Sequence, residues 1–117
     1  MNLLLLNIPS FGSIVLGLLL IIFHKSPINR IIGFYTKLSI KNKSTWQYGN
    51  LLTGKLCLFV GVSSFLFSLL FSLFSPLSFK KLLLYIFLFN ILSWIIIWVV
   101  VNDKLHENFD DFGNKKR

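Results

Sequence analysis

Three long stretches of the chain, 1–23, 56–79 and 82–101, contain no Asp, Glu, Lys or Arg, while the segments between and after them are polar and basic. The hydrocarbon core of a bilayer is about 30 Å thick, so a helix needs roughly 20 apolar residues to cross it. Each stretch meets that length. The pattern predicts an all-α membrane protein with three transmembrane helices, at about 3–23, 51–74 and 82–101. The first stops at His24-Lys25-Ser26-Pro27, because Pro27 cannot continue a hydrogen-bonded helix. The second ends before Ser75-Pro76, and Lys55 lies near enough to its start to reach its amine to the headgroups. The third meets Asn102-Asp103-Lys104, with Tyr85, Trp94 and Trp98 placed as interfacial aromatics. Pro9 either kinks the first helix or sits in its first turns, and the pattern leaves both open.

Composition agrees with a membrane setting. Of 117 residues, 55% are hydrophobic and 14% charged, against about a quarter charged in a soluble domain. Three such helices in so short a chain would leave too little polar surface for solubility. The first stretch lacks the basic start and small-residue cleavage site of a signal peptide, and it reads as a retained helix.

Charge sets the expected orientation. The loop 24–55 holds Lys25, Arg30, Lys37, Lys41, Lys43 and Lys55 and no acid; the short loop 75–81 holds Lys80 and Lys81. The tail 102–117 adds Lys104, Lys115, Lys116 and Arg117. With three spans, the long loop and the tail share one side and carry ten of the twelve basic residues. The positive-inside rule places that side in the cytoplasm, with the N-terminus and the short loop outside. The domain organisation expected is a transmembrane unit over 1–101 containing the loop, followed by a disordered cytoplasmic tail with mixed charge.

The loop carries more than charge. Ser44-Thr45-Trp46-Gln47 reads as a capping box, with the serine oxygen accepting from a first-turn amide and Gln47 reaching back. A short interfacial helix from there into the second span is expected. Basic residues alone are explained by attraction to anionic lipid. The ordered mixture of Asn, Gly, Thr and Trp is not.

That mixture resembles the signature of the SdpI family of small bacterial membrane proteins. The residues that carry the resemblance are Ile28-Asn29, Ile32-Gly33-Phe34, Thr36, Ser39, Lys41-Asn42, Trp46, Asn50 and Gly54-Lys55, between apolar helices laid out as in the family. Tyr35 stands where the family usually has Arg, replacing a bidentate donor with an aromatic hydroxyl, and Ile40 stands where Met is usual. The resemblance implies immunity or signal transduction rather than chemistry. The family's namesake protects a sporulating bacterium from a secreted killing peptide and is credited with holding a cytoplasmic repressor at the membrane. The best-known member is about twice as long with more spans, so the resemblance is to its signature-bearing half. A peptide toxin or a cytoplasmic repressor is the partner so implied. The residues expected to meet it, or lipid, are Asn29, Gly33, Tyr35, Thr36, Ser39, Asn42, Trp46, Asn50 and Lys55.

Within the spans the polar residues read as packing. Cys57, Gly61, Ser64, Ser68 and Ser72 recur every three or four residues, as do Ser10, Ser13 and Gly17, so each set lines one helix face. Gly17, Gly61, Ser64 and Ser68 are expected at helix contacts, where small side chains let backbones approach in lipid. Asn90, near the middle of the third span, needs a partner for its amide there, and a serine-bearing face is the natural one.

No enzymatic activity, cofactor or metal is expected. The spans hold no acid, His or Arg for a proton relay, Cys57 is the only cysteine, and His24 and His106 read as solvated interfacial histidines. Topology accounts for the net charge of +8, so nucleic acid is not an expected partner. The bilayer is, and no oligomeric state is assigned. The competing reading is a structural accessory subunit of a transporter or envelope complex. In the first reading the loop is the sensitive region; in the second, the small-residue faces are.

Overall fold

Pro9 decides how the fold begins. Its missing N–H and its ring are both incompatible with a helix already running four residues earlier. In the computed structural model, which describes residues 3–28, 33–74 and 78–115, the first expected span is accordingly broken at Asn7. It consists of α1 (Leu3–Leu6) and α2 (Ile8–Ile22), with Pro9 in the first turn of α2, where the absent donor costs nothing. The amide of Asn7 bonds back to the Leu4 carbonyl (3.3 Å), and the Asn7 carbonyl receives the first bond of α2 from Phe11 (2.9 Å).

Both remaining helices are longer than expected. The helix α3 (Lys43–Phe74) starts eight residues before position 51, and the residues expected to form a short helix running into the second span are its first turns. Its start is fixed by Asn42, whose Oδ1 accepts from the Thr45 amide (3.0 Å) while Thr45 Oγ1 accepts from the Asn42 amide (3.2 Å). The reciprocal cap therefore lies two residues earlier than the Ser44–Gln47 pair. Thr45 is fully buried and Ser44 exposed, so only Thr45 faces the inside of the fold. The last helix, α4 (Phe79–Asn108), is capped by Ser78 and runs seven residues beyond position 101. The expected disordered tail is instead helix to Asn108 and then a closed turn, with Phe109 bridged to Lys115. Asp110 organises that turn by accepting from the amides of Phe112 and Asn114 (both 2.9 Å).

At about 1.5 Å per residue, α3 and α4 each exceed the roughly 30 Å hydrocarbon core by several turns. Among the described residues these are the two helices long and apolar enough to cross a membrane; α2 is shorter. They lie antiparallel, with the start of α3 beside the end of α4, and the molecule is 52 Å long by 23 by 19 Å. At one end a core of Phe34, Leu38, Ile97, Val101, Leu105 and Phe109 joins the loop, both long helices and the terminal turn. A smaller cluster of Leu6, Leu82 and Ile86 closes the other end. Between the ends, α2 packs against α3 through glycines. A Cβ on Gly17 would meet the Gly54 carbonyl and the Leu58 amide at 2.7 Å, and one on Gly61 would meet the Ile14 amide at 2.8 Å. Much apolar surface stays outward: Phe59, Leu73 and Phe74 are all more than two-thirds exposed. Outward apolar residues and inward serines are the arrangement of a membrane protein.

Candidate functional site

Two polar constellations stand out, one inside the helix packing and one around the ends of α3 and α4. The inner one is a chain of side-chain hydrogen bonds across three helices. Trp94 Nε1 donates to Ser13 Oγ (2.9 Å), Ser13 donates to Asn90 Oδ1 (2.7 Å), and Asn90 Nδ2 donates to Ser64 Oγ (3.0 Å). Ser64 in turn shares a bond with Ser10 (2.7 Å). Further along, Ser68 donates to Asn7 Oδ1. All but Trp94 are buried. Ser68 and Asn90 also donate to the Phe65 and Ile86 carbonyls of their own helices (2.8 and 2.9 Å), but hydrocarbon offers no other partner for the bonds that cross between helices. Ser72, on the same nominal face, bonds back to the Leu69 carbonyl of its own helix (2.8 Å).

The outer constellation is built from the loop. Gly33 has φ +142, a backbone region L side chains rarely adopt, and a Cβ there would lie 2.5 Å from the Trp46 ring and 2.8 Å from Asn50 Oδ1. This lets the loop descend onto α3, where Asn50 Oδ1 accepts from the Phe34 amide (2.7 Å) and its Nδ2 donates to the Trp46 carbonyl (2.8 Å). Trp46, almost wholly buried, donates its indole N–H to the Ser26 carbonyl (3.0 Å). Ser39 closes the next turn: it accepts from the Thr36 amide (2.7 Å) and donates to the Phe34 carbonyl (3.0 Å). Thr45 donates to the Ser39 carbonyl (3.1 Å), tying that turn to the helix cap. Asn42 Nδ2 then donates to the Gly113 carbonyl (2.7 Å), and Asn108 donates to the Tyr48 hydroxyl (3.1 Å). Loop, helix ends and terminal turn thus form one braced polar collar.

Three of the loop residues expected to contact a partner, Ser39, Trp46 and Asn50, are buried and hydrogen-bonded within this collar. Asn42 is half-buried, and Gly33, itself exposed, lies against the Trp46 ring and Asn50. Tyr35 and Lys55 are exposed and Thr36 half-exposed. Asn29 lies outside the described residues. The helix residues Gly17, Gly61, Ser64, Ser68 and Asn90 all sit at contacts between helices. Sequence reasoning missed Asn7, Thr53, Thr45 and the pair Tyr48–Asn108. Asn7-Ile8-Pro9 does carry a helix-start signal, an Asn followed closely by Pro. Thr45 was passed over for its neighbour, and the Tyr48–Asn108 contact has no local signal at all.

Three open cavities flank the collar. One, about 540 Å³, is lined by Ser44, Gln47, Tyr48, Asn108 and the terminal turn. A second, about 500 Å³, is lined by Thr36, Lys37, Lys41, Asn102, His106 and Asp111, with Trp98 at its edge. A third, about 400 Å³, lies among Tyr35, Thr53, Cys57, Trp94 and Trp98. Among the described residues no three His, Cys, Asp or Glu side chains come together as a metal site.

The fold is therefore that of a small helical membrane protein with a folded polar collar at one end. The model of the SdpI/YfhL protein family matches residues 25–102, which takes in the loop, α3 and most of α4 but not the terminal turn, and the chain belongs to that family. No curated protein and no solved structure matches the chain.

Proposed function

We propose that this protein acts as an SdpI-type immunity or signalling protein, binding a toxin peptide or a cytoplasmic regulator through the surface of its 24–55 segment. The observation that carries the reading is the bracing of the collar. Buried polar side chains hold residues 33–50 in one shape, so the residues displayed there form a preorganised surface and pay less ordering entropy on binding. That surface includes Tyr35 and the polar cleft beside Ser44 and Gln47. In this reading α1 and α2 together supply a third crossing, about 30 Å for residues 3–22. The basic excess of the collar end then places it on the cytoplasmic side.

The test is a deletion strain challenged with supernatant from sibling cells or with a membrane-active peptide. Loss of the gene should raise sensitivity, and the wild-type chain should restore resistance. Variants Tyr35→Ala and Gln47→Ala should reach the membrane in normal amounts yet fail to restore it. Unchanged sensitivity on deletion would remove the immunity reading. A second reading, an accessory subunit of a larger membrane complex, is favoured by the apolar groove of about 400 Å³ between α3 and α4, among Phe67, Phe71, Tyr85 and Phe89. Under it, substitutions in that groove abolish function while Tyr35→Ala is tolerated.

A further inference from the structure

The two cavities that meet at Trp98 differ in character. Lys37, Lys41 and His106 line the outer one, with Asp111 as its single acid, so its charge remains positive. The inner one is mainly apolar, with Leu16 and Leu20 of α2 facing Trp94 and Trp98 of α4. Trp98 borders both, half-exposed, with its ring 6.5 Å from that of Phe34. The floor of the inner cavity includes Thr53, which is 8% exposed, and its Oγ1 is the one buried side-chain oxygen or nitrogen without a hydrogen-bond partner among the described residues. Elsewhere the buried hydroxyls of Ser10, Ser13, Ser39, Thr45, Ser64 and Ser68 are all bonded. A buried hydroxyl left without a partner is destabilising unless something else satisfies it. Along α4 the step from Asn102 at the basic cavity to Trp98 is four residues, about 6 Å. That is the order of the distance between a phospholipid's phosphate and its glycerol ester.

We propose that the two cavities are one site for a single anionic phospholipid. Lys37 and Lys41, with His106 beside them, hold the phosphate diester. The glycerol ester lies against Trp98, where an ester carbonyl accepts from the Thr53 hydroxyl. One acyl chain fills the cavity between Leu16, Leu20 and Trp94. The charge is complementary outside and the surface apolar inside, which no soluble anion would match. Tyr35 lines the inner cavity as well as the partner surface proposed above, so Tyr35→Ala does not separate the two, whereas Thr53→Val, at a buried residue outside that surface, does.

The test uses tryptophan quenching by bromine-labelled lipid chains, with the full chain reconstituted in phosphatidylcholine vesicles. Brominated phosphatidylglycerol should quench at a mole fraction at least about three-fold lower than brominated phosphatidylcholine, given two lysines at the phosphate. Lys37→Ala/Lys41→Ala should bring the two curves together without changing helicity by circular dichroism. Trp94→Phe/Trp98→Phe should remove the extra quenching, since both rings line the inner cavity, and Thr53→Val should reduce the preference while keeping the fold. Millimolar inorganic phosphate should leave the quenching unchanged. Equal quenching by both lipids, a preference that survives the double lysine variant, or displacement by inorganic phosphate would each overturn the proposal. So would weak quenching by either lipid in a protein that runs as a dimer, since a second copy would then cover the site.

Discussion

At the scale of single residues, the collar rests on a few positions with no substitute. Gly33 combines a positive φ with a Cβ direction blocked by Trp46 and Asn50. Alanine there must strain the backbone and displace the indole, a change of about 1–3 kcal/mol. Gly33→Ala is therefore expected to loosen the loop while leaving α3 and α4 inserted. Protease cleavage between Ser26 and Lys43 should accelerate, and Trp46 emission should shift to the red. Unaltered cleavage would show that the loop is held without the Trp46 contact. Several of these residues were legible in the sequence as an ordered polar set, but their direction was not. Asn50 and Trp46 read equally well as partner contacts or as braces, because local sequence does not say whether a polar side chain points inward. The same ambiguity moved the cap. Ser44 and Asn42 are both good capping residues, and the choice fell to Asn42 because Thr45, three residues on, is buried beneath Ser39 and bonded to its carbonyl.

At the scale of helices, the small-residue spacing was readable and the way it is used follows from lipid as solvent. Gly54, Gly61 and Ser68 on α3 are seven residues apart, as are Ser10 and Gly17 on α2, and the two rows face each other. Gly17→Leu has no room, since the Gly54 carbonyl and Leu58 amide already lie 2.7 Å from where its Cβ would be. It should separate α2 from α3 and lower the unfolding midpoint in mixed detergent micelles by more than any change on the outer face. Asn90→Leu is a milder case. It removes bonds to Ser13 and Ser64 and leaves their hydroxyls short of a partner, and interhelical bonds in membranes are worth roughly 0.6–2 kcal/mol. Insertion should be normal and the same midpoint should fall modestly; an unchanged midpoint would mean that the serines find other partners. The helix ends were less legible than the faces. Apolar runs mark where a lipid-facing helix begins and stops, whereas α3 and α4 continue beyond those runs, held there by Asn42, Tyr48 and Phe109, which no hydropathy pattern reveals.

For the molecule as a whole, the terminal turn and the orientation are linked. Leu105 and Phe109 are buried in the same core as Phe34 and Leu38, and Gly113 accepts from Asn42, so residues 102–115 belong to the collar rather than trailing from it. Truncation after Val101 should therefore expose the loop to protease and destabilise the protein; a disordered tail would be lost without effect. The same contacts oblige the loop and the C-terminus to lie on one side of the membrane, whichever side that is. The three-span reading adds their basic residues into one topological signal of ten cations, opposed by Lys80 and Lys81 at the far end. By the positive-inside rule, a phosphatase reporter fused after Arg117 should be inactive and a cytoplasmic fluorescent reporter bright. Adding four lysines near Ser75 should weaken that bias, yet the loop and the tail should still move together, because Asn42–Gly113 and Tyr48–Asn108 bonds require it. A C-terminal reporter active outside the cell, with single cysteines in the loop labelled from inside, would break the collar itself and not just its orientation.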